Sequence, residues 1–280
     1  MKNVEDRYRA ICNDFDALVA YALALSTSIS GKDATRDEHL YADAIFKKLV
    51  GHGITLKRIS PTGMQPTTEG VSELWDVSSA SSLARAMVEA YDALAYVAIH
   101  RVSEEERRFR ILLWKLHDQD RRQKMLGLIG SSSPAAAEID LNVSTLRGEL
   151  LAHPLFASAE KSLVGKIKNG EAPPFHLSHH ERNHRSGINH DYYTAAVMFL
   201  SSYVHTFPFA IHQLMEFRAG EENSLRLMSM PIEYASGFLA KGIQGMIEMF
   251  AEHAPVPSQS TQHTIDIWLG IVENGVKDVI

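Results

Sequence analysis

Cysteine is almost absent from this chain: 280 residues include one, Cys12. A single thiol cannot build a disulfide framework within a chain, and a cysteine-based zinc site is excluded, which fits a reducing compartment. Long apolar runs are missing as well. Ala17 to Leu25 and Thr194 to Leu200 are the longest, far short of the ~20 residues that span a bilayer. The opening Met-Lys-Asn-Val-Glu-Asp-Arg mixes charges where a secretory leader would be apolar. A cytoplasmic protein without a membrane segment is expected. Positive charge is not in excess either. Lys and Arg total 28 against 34 Asp and Glu, a formal net charge of -6, so no global field draws the chain to nucleic acid. The sequence has no P-loop, no Rossmann glycine fingerprint, no HExxH, no nucleophile elbow and no repeat of fixed period.

What is present is helical periodicity. Ile11, Phe15, Leu18, Ala22 and Leu25 return at steps of three and four, so one apolar face defines a helix over about Val4 to Ser26. A second helix is expected from a Thr35–Glu38 capping box, stopped by Gly51 and Gly53. Residues 51–70 hold four glycines with Pro61 and Pro66 and read as a connector with a short extended piece at Ile54 to Ile59. Ser72 to His100 is nearly continuous in apolar residues, as a central helix would be. Ser103 and Glu106 form another capping box before a helix reaching about Leu128. Gly130 ends that helix, and Ser133-Pro134 opens the next. Residues 135–168 read as a helix broken at Pro154. A helix from Asp191 to Ala219 should kink at Pro208. The stripe Leu225, Met228, Ile232, Ala235, Leu239, Ile243, Met246, Phe250 marks a long helix over Asn223 to Glu252. Its Gly237, Gly242 and Gly245 suggest close approach of a neighbour. A Pro/Ser linker at 254–260 precedes a last amphipathic helix.

The expected fold is all-α, an irregular multi-helix bundle. Residues 1–53 form an N-terminal helical pair and 72–219 a central helical domain. Residues 223–280 supply C-terminal helices on the same core. Residues 169–190 stand out, with Pro173, Pro174, five histidines and no helical or strand period. Structureless stretches of that length inside compact domains are usually functional or mobile.

Five groups of residues bear on chemistry. If the histidine segment is helical, His176, His180 and His184 stack at i, i+4 and i+8. Glu181 with His184 then resembles half of a carboxylate-bridged site for a divalent metal such as Zn²⁺ or Fe²⁺. A polar surface loop is the plain alternative. Arg85, Glu89 and Asp92 lie on one side of the central helix and read as a structural ion-pair stripe. Arg107, Arg108, Arg110, Lys115, Arg121, Arg122 and Lys124 are interleaved with acids, as on a solvated mixed-charge face. His205 sits in an apolar helix just before Pro208, as a core histidine or one opened to a cleft by the kink. Arg185 and His190 make the spacing R-x4-H.

That last spacing resembles the motif of the helical ribonucleases and toxins of the HEPN class. The resemblance implies RNA cleavage without metal, with His190 moving the proton of a 2′-hydroxyl and Arg185 stabilising the phosphorane. Ser186 stands where that class usually has Asn, Asp or His. A second resemblance covers roughly residues 72–218, through Ser-Ser-Leu-Ala-Arg-Ala-Met-Val-Glu-Ala-Tyr from Ser81, the stretch Phe109 to Leu116, and Ser201-x-x-Val204-His205. It is similar to a broad family of uncharacterised bacterial and phage-associated helical proteins. That likeness implies a setting in phage or mobile-element conflict and singles out Arg85, Glu89 and His205. Three readings follow: a helical protein of that setting, a ribonuclease acting on RNA, or an interaction module that binds metal or a protein partner. Convergence of Arg85, Glu89, His205 and the histidine segment in one pocket would favour the enzyme; scatter would favour the interaction module.

Overall fold

The computed structural model describes residues 3–32, 35–63 and 75–276. Among them are twelve α-helices, one π-helical turn and no strand, the expected all-α fold. The chain divides into two compact units, Met1–Ala95 with Asn183–Ile280, and Tyr96–Arg182. The 72–219 segment thus contributes to both.

In the first unit, α1 (Val4–Ile29) and α2 (Asp37–Ile59) pack as a pair against α3 (Val77–Leu94). Two sequence expectations fail in α2. Its N-cap is Arg36, with no side-chain capping bond, and the Glu38 carboxylate pairs with Arg36 rather than closing a box with Thr35. Gly51 and Gly53 do not stop the helix, which runs through them to Ile59, so the Ile54–Ile59 piece is helical, not extended. Gly53 serves contact instead. A β-carbon there would lie 3.2 Å from Val19 and 3.5 Å from Met87, so the glycine lets α1 and α3 approach α2. The rest of the expected connector, including Pro66, and the expected start at Ser72 lie outside the described residues. α3 opens at Asp76, whose carboxylate accepts from Ser79 N at 2.9 Å.

The chain enters the second unit through the π-helical turn Ala95–Ile99. There α4 (Glu104–Leu128) and α5 (Pro134–Leu151) pack together, with the short α6 (Pro154–Ala157) and α7 (Lys161–Lys168). Leu113, Leu116, Leu150 and Ile167 are fully buried in this unit's core. Ser103 accepts from Glu106 N at 3.1 Å, half of the expected box. The other half is missing because the Glu106 carboxylate is drawn to Arg110. Pro154 starts α6 at its first position, as the break required.

Five helices follow: α8 (His179–Ser186), α9 (His190–Val204), α10 (Pro208–Glu216), α11 (Glu222–Met249) and α12 (Gln259–Asn274). The expected kink at Pro208 is a full break. α9 and α10 are separate and bent by 73°, because Pro208 takes the first position of a new helix, where its missing N–H costs nothing. α11 packs on α1 and α3 and holds the centre of the first unit. Among the described residues no single helix is long and apolar enough to cross a membrane.

Gly237 and Gly242 of α11 meet neighbours as expected. A β-carbon at Gly237 would lie 3.3 Å from Val272, and one at Gly242 only 2.7 Å from Leu49. Leu49 is fully buried, and Phe46 and Leu94 crowd the same point within 4 Å. Gly242→Ala should therefore destabilise the fold by about 1–3 kcal/mol through overpacking, less the ~1 kcal/mol of helix propensity it gains. Gly51→Ala, with nothing within 4 Å, should stabilise it by ~0.5–1 kcal/mol. Hydrogen exchange resolved over the described residues of the first unit tests the pair; equal shifts in the same direction would refute the packing argument.

Candidate functional site at the α8–α9 junction

The histidine segment holds a helix that periodicity could not reveal, since α8 (His-His-Glu-Arg-Asn-His-Arg-Ser) contains no apolar residue. Its ends define it. Ser178 Oγ accepts from Glu181 N at 3.3 Å, while Glu181 Oε2 accepts from Ser178 N at 2.7 Å, a reciprocal capping box. At the other end Gly187 has φ +64°. Its N–H reaches His184 O at 3.2 Å, and Ile188 N reaches Asn183 O at 2.9 Å, the Schellman pattern.

That turn delivers the chain to Asn189. Its side chain accepts from Tyr192 N at 3.0 Å to cap α9, and its own N–H bonds Val272 O at 2.9 Å in α12. His190, the first residue of α9, is thereby fixed at the helix N-terminus. Its Nδ1 is 3.0 Å from the amide nitrogen of Asn183, which is 1% exposed. A buried amide thus sets the orientation of a half-exposed imidazole. Arg185 is exposed on the last turn of α8.

Beneath the junction lie buried polar pairs. Tyr193 donates to Asp92 at 2.7 Å. Tyr91 is hydrogen-bonded to Ser186, which only partly offsets the burial that pushes its phenol well above the ordinary range. Lys241, largely buried on α11, holds Glu273 of α12 at 2.7 Å. A β-carbon at Gly187 would lie 3.8 Å from the Lys241 ammonium, so a second cation stands behind the turn that links Arg185 to His190.

The other sequence candidates lie elsewhere. Arg85 donates to Ser201 Oγ at 3.2 Å and pairs with the exposed Glu89 at 3.0 Å. The contacts Asp92–Tyr193 and Arg85–Ser201 make α3 and α9 antiparallel. Seven residues of helix, about 10 Å, separate the two levels. Ser201 lies eleven residues, about 16 Å or three turns, after His190 on α9, so Arg85 is a clamp between helices well away from that ring, with Glu89 one turn nearer. His205 is the exposed C-cap of α9, its ring 5.4 Å from that of Phe207.

The metal candidates divide too. His176 precedes α8, so it does not stack over His180 and His184. Its Nδ1 is 2.7 Å from the Tyr96 hydroxyl and its Nε2 4.0 Å from Glu106, within the second unit. Among the described residues no group of three or more His, Cys, Asp or Glu is arranged to hold a metal ion.

The basic run on α4 is also not uniform. Arg110 is fully buried. With Arg107 it reaches back to the carbonyls that end the π-helical turn, Arg110 to Tyr96 O at 2.8 Å and Arg107 to Val97 O at 2.6 Å. These two side chains satisfy acceptors that a helix end leaves open.

Cys12 lines a separate cavity of about 330 Å³ with Arg9, Asp16 and Lys57. Burial pushes its thiol up, a hydrogen bond with Tyr8 opposes this, and Asp16 adds to it. The reactive thiolate is then scarcer at neutral pH than in a free thiol of pKa ~8.5. Iodoacetamide should label Cys12 slowly at pH 7, accelerating only above that ordinary value, as mass spectrometry would follow. Rapid labelling at pH 7 would contradict this.

No family model, curated protein or solved structure matches this chain. Two functional candidates escaped sequence reasoning, Asn183 and Lys241. The S-x-x-E at 178–181 followed by Gly187 could have located α8 and so placed Asn183 one turn before its end. Nothing local points to Lys241, which arrives from α11.

Proposed function

We propose that the α8–α9 junction binds and cleaves RNA without a metal. The observation that carries this is the buried Asn183 amide on His190 Nδ1, which orients one imidazole at a helix N-terminus five residues after the exposed Arg185. Proton uptake requires the Asn183 amide to turn its oxygen to His190 Nδ1–H; Nε2 is then free and takes the proton of a 2′-hydroxyl. The 2′-oxygen attacks phosphorus, the bond to the 5′-oxygen breaks, and that oxygen leaves with a proton from water. The products are a 2′,3′-cyclic phosphate and a 5′-hydroxyl. Lys241, paired with Glu273, supports the turn from behind, while Arg185 neutralises the charge that builds on the phosphorane. A helix N-terminus suits a phosphate for the same reason.

The test is incubation of the purified chain with end-labelled single-stranded RNA in EDTA. Cleavage to cyclic-phosphate ends, lost in His190→Ala, supports the reading. No cleavage, or cleavage indifferent to that substitution, ends it. The spread of Arg85, Glu89 and His205 away from His190 favours a second reading, an interaction module. The exposed apolar surface of α10 gives that reading a definite place.

A further inference from the structure

Among the described residues, little covers the apolar helix α10. In Pro-Phe-Ala-Ile-His-Gln-Leu-Met-Glu only Ala210 is buried, and its principal contacts are with α9. Phe207 is 51% exposed, Phe209 49% and Met215 68%, with Met198, Val204 and Ile211 open beside them. Together they present on the order of 600 Å² of apolar surface, the upper end of what a monomer usually shows. That is close to the ~800 Å² each partner contributes to a standard interface. The elbow that projects α10 is held in a costly conformation. Thr206 has φ +56°, a region that residues with a β-carbon rarely occupy. The Tyr203 hydroxyl donates to Gln213, fastening α10 to α9.

The same unit offers a receptor for what α10 presents. A cavity of about 350 Å³ opens among Phe199, Phe217, Leu227 and Met230, rimmed by Glu216 and Arg226. Gln213, Asn223 and Ser224 also line it, so the cavity offers an apolar wall for a phenylalanine and an acid and a base for their opposites. In an isologous dimer residue i meets j and j meets i. Phe207 or Phe209 of each copy then enters the other's cavity, and Glu216 faces Arg226 twice.

We infer that this face docks a second copy of the chain as a twofold dimer. A lipid surface is the poorer occupant. α10 carries no Lys or Arg to attract anionic headgroups, and Tyr192, Tyr193, Ala196, Leu200 and Tyr203 of α9 are buried within the unit.

Sedimentation velocity over a range of concentrations tests the dimer. Wild type should show a reversible monomer–dimer equilibrium. Phe209→Asp should weaken it about 30-fold or more, as removal of a central anchor does, with the circular dichroism unchanged. Glu216→Arg and Arg226→Glu should each weaken it, and the double reversal should restore it. Leu128→Asp, at an exposed apolar residue of the second unit, should leave it intact. A wild type that stays monomeric overturns the proposal. So does a dimer insensitive to Phe209→Asp, a double reversal that fails to restore it, or flotation with phosphatidylcholine–phosphatidylserine vesicles that Phe209→Asp abolishes. RNA cleavage is read separately, so either proposal can fail alone.

Discussion

Arg110→Ala should cost the second unit about 3–5 kcal/mol, because it removes one partner of a buried, multiply hydrogen-bonded charge pair. The guanidinium is fully buried. It bonds Glu106 at 2.6 Å, Tyr96 O at 2.8 Å and His100 Nδ1 at 3.0 Å, and lies 4.6 Å from the Tyr96 ring centroid. Truncation leaves a buried carbonyl and a buried imidazole short of a partner, and leaves Glu106 facing the void. Arg110→Lys should recover little, since one ammonium cannot fork toward three acceptors. Arg107→Ala, on a partly exposed side chain, should cost only ~1 kcal/mol. The chain holds two compact units, so a single melting curve is a poor measure. Hydrogen exchange resolved over residues 96–182 reads the effect directly. Protection unchanged in Arg110→Ala would show that the network contributes nothing.

The second large effect concerns activity. If the α8–α9 junction cleaves RNA, His190→Ala should lower the rate by about 10²–10⁴, the usual worth of a positioned proton carrier. Arg185→Ala should lower it by about 10²–10³, as loss of one charge-stabilising donor does. Asn183→Ala is the more discriminating change. It keeps both chemical groups but releases the ring, so about a 10–100-fold loss is expected, mainly in kcat. Arg85→Ala should leave cleavage near wild type while lowering stability by about 1 kcal/mol, because Arg85 ties α3 to α9 three turns away. An Arg85 variant that loses activity as fully as His190→Ala would move the site elsewhere.

Legibility in the sequence followed the range of the forces involved. The stripe on α11 was readable because residues three and four apart share a face whatever lies opposite. Ser103, Pro134 and Pro154 marked helix starts because a capping hydroxyl and a proline at the first position both act within four residues. α8 was hidden only from periodicity; its S-x-x-E box and Gly187 are local signals of the same kind. Gly53 misled because a glycine that admits a neighbour and one that ends a helix look alike until the neighbour is known.

From sequence alone the all-α class, most helix starts and the apolar faces were determined, since backbone hydrogen bonding and side-chain spacing are settled within a few turns. Tertiary structure alone decided that Arg110 is interior while other arginines of α4 are solvated, and that Asn183 holds His190 at a junction Lys241 backs from another helix. It also decided that little among the described residues covers α10. Each of these depends on which surfaces meet across 100 or so residues of intervening chain, and the energy of burial belongs to the assembled surfaces rather than to any stretch of residues.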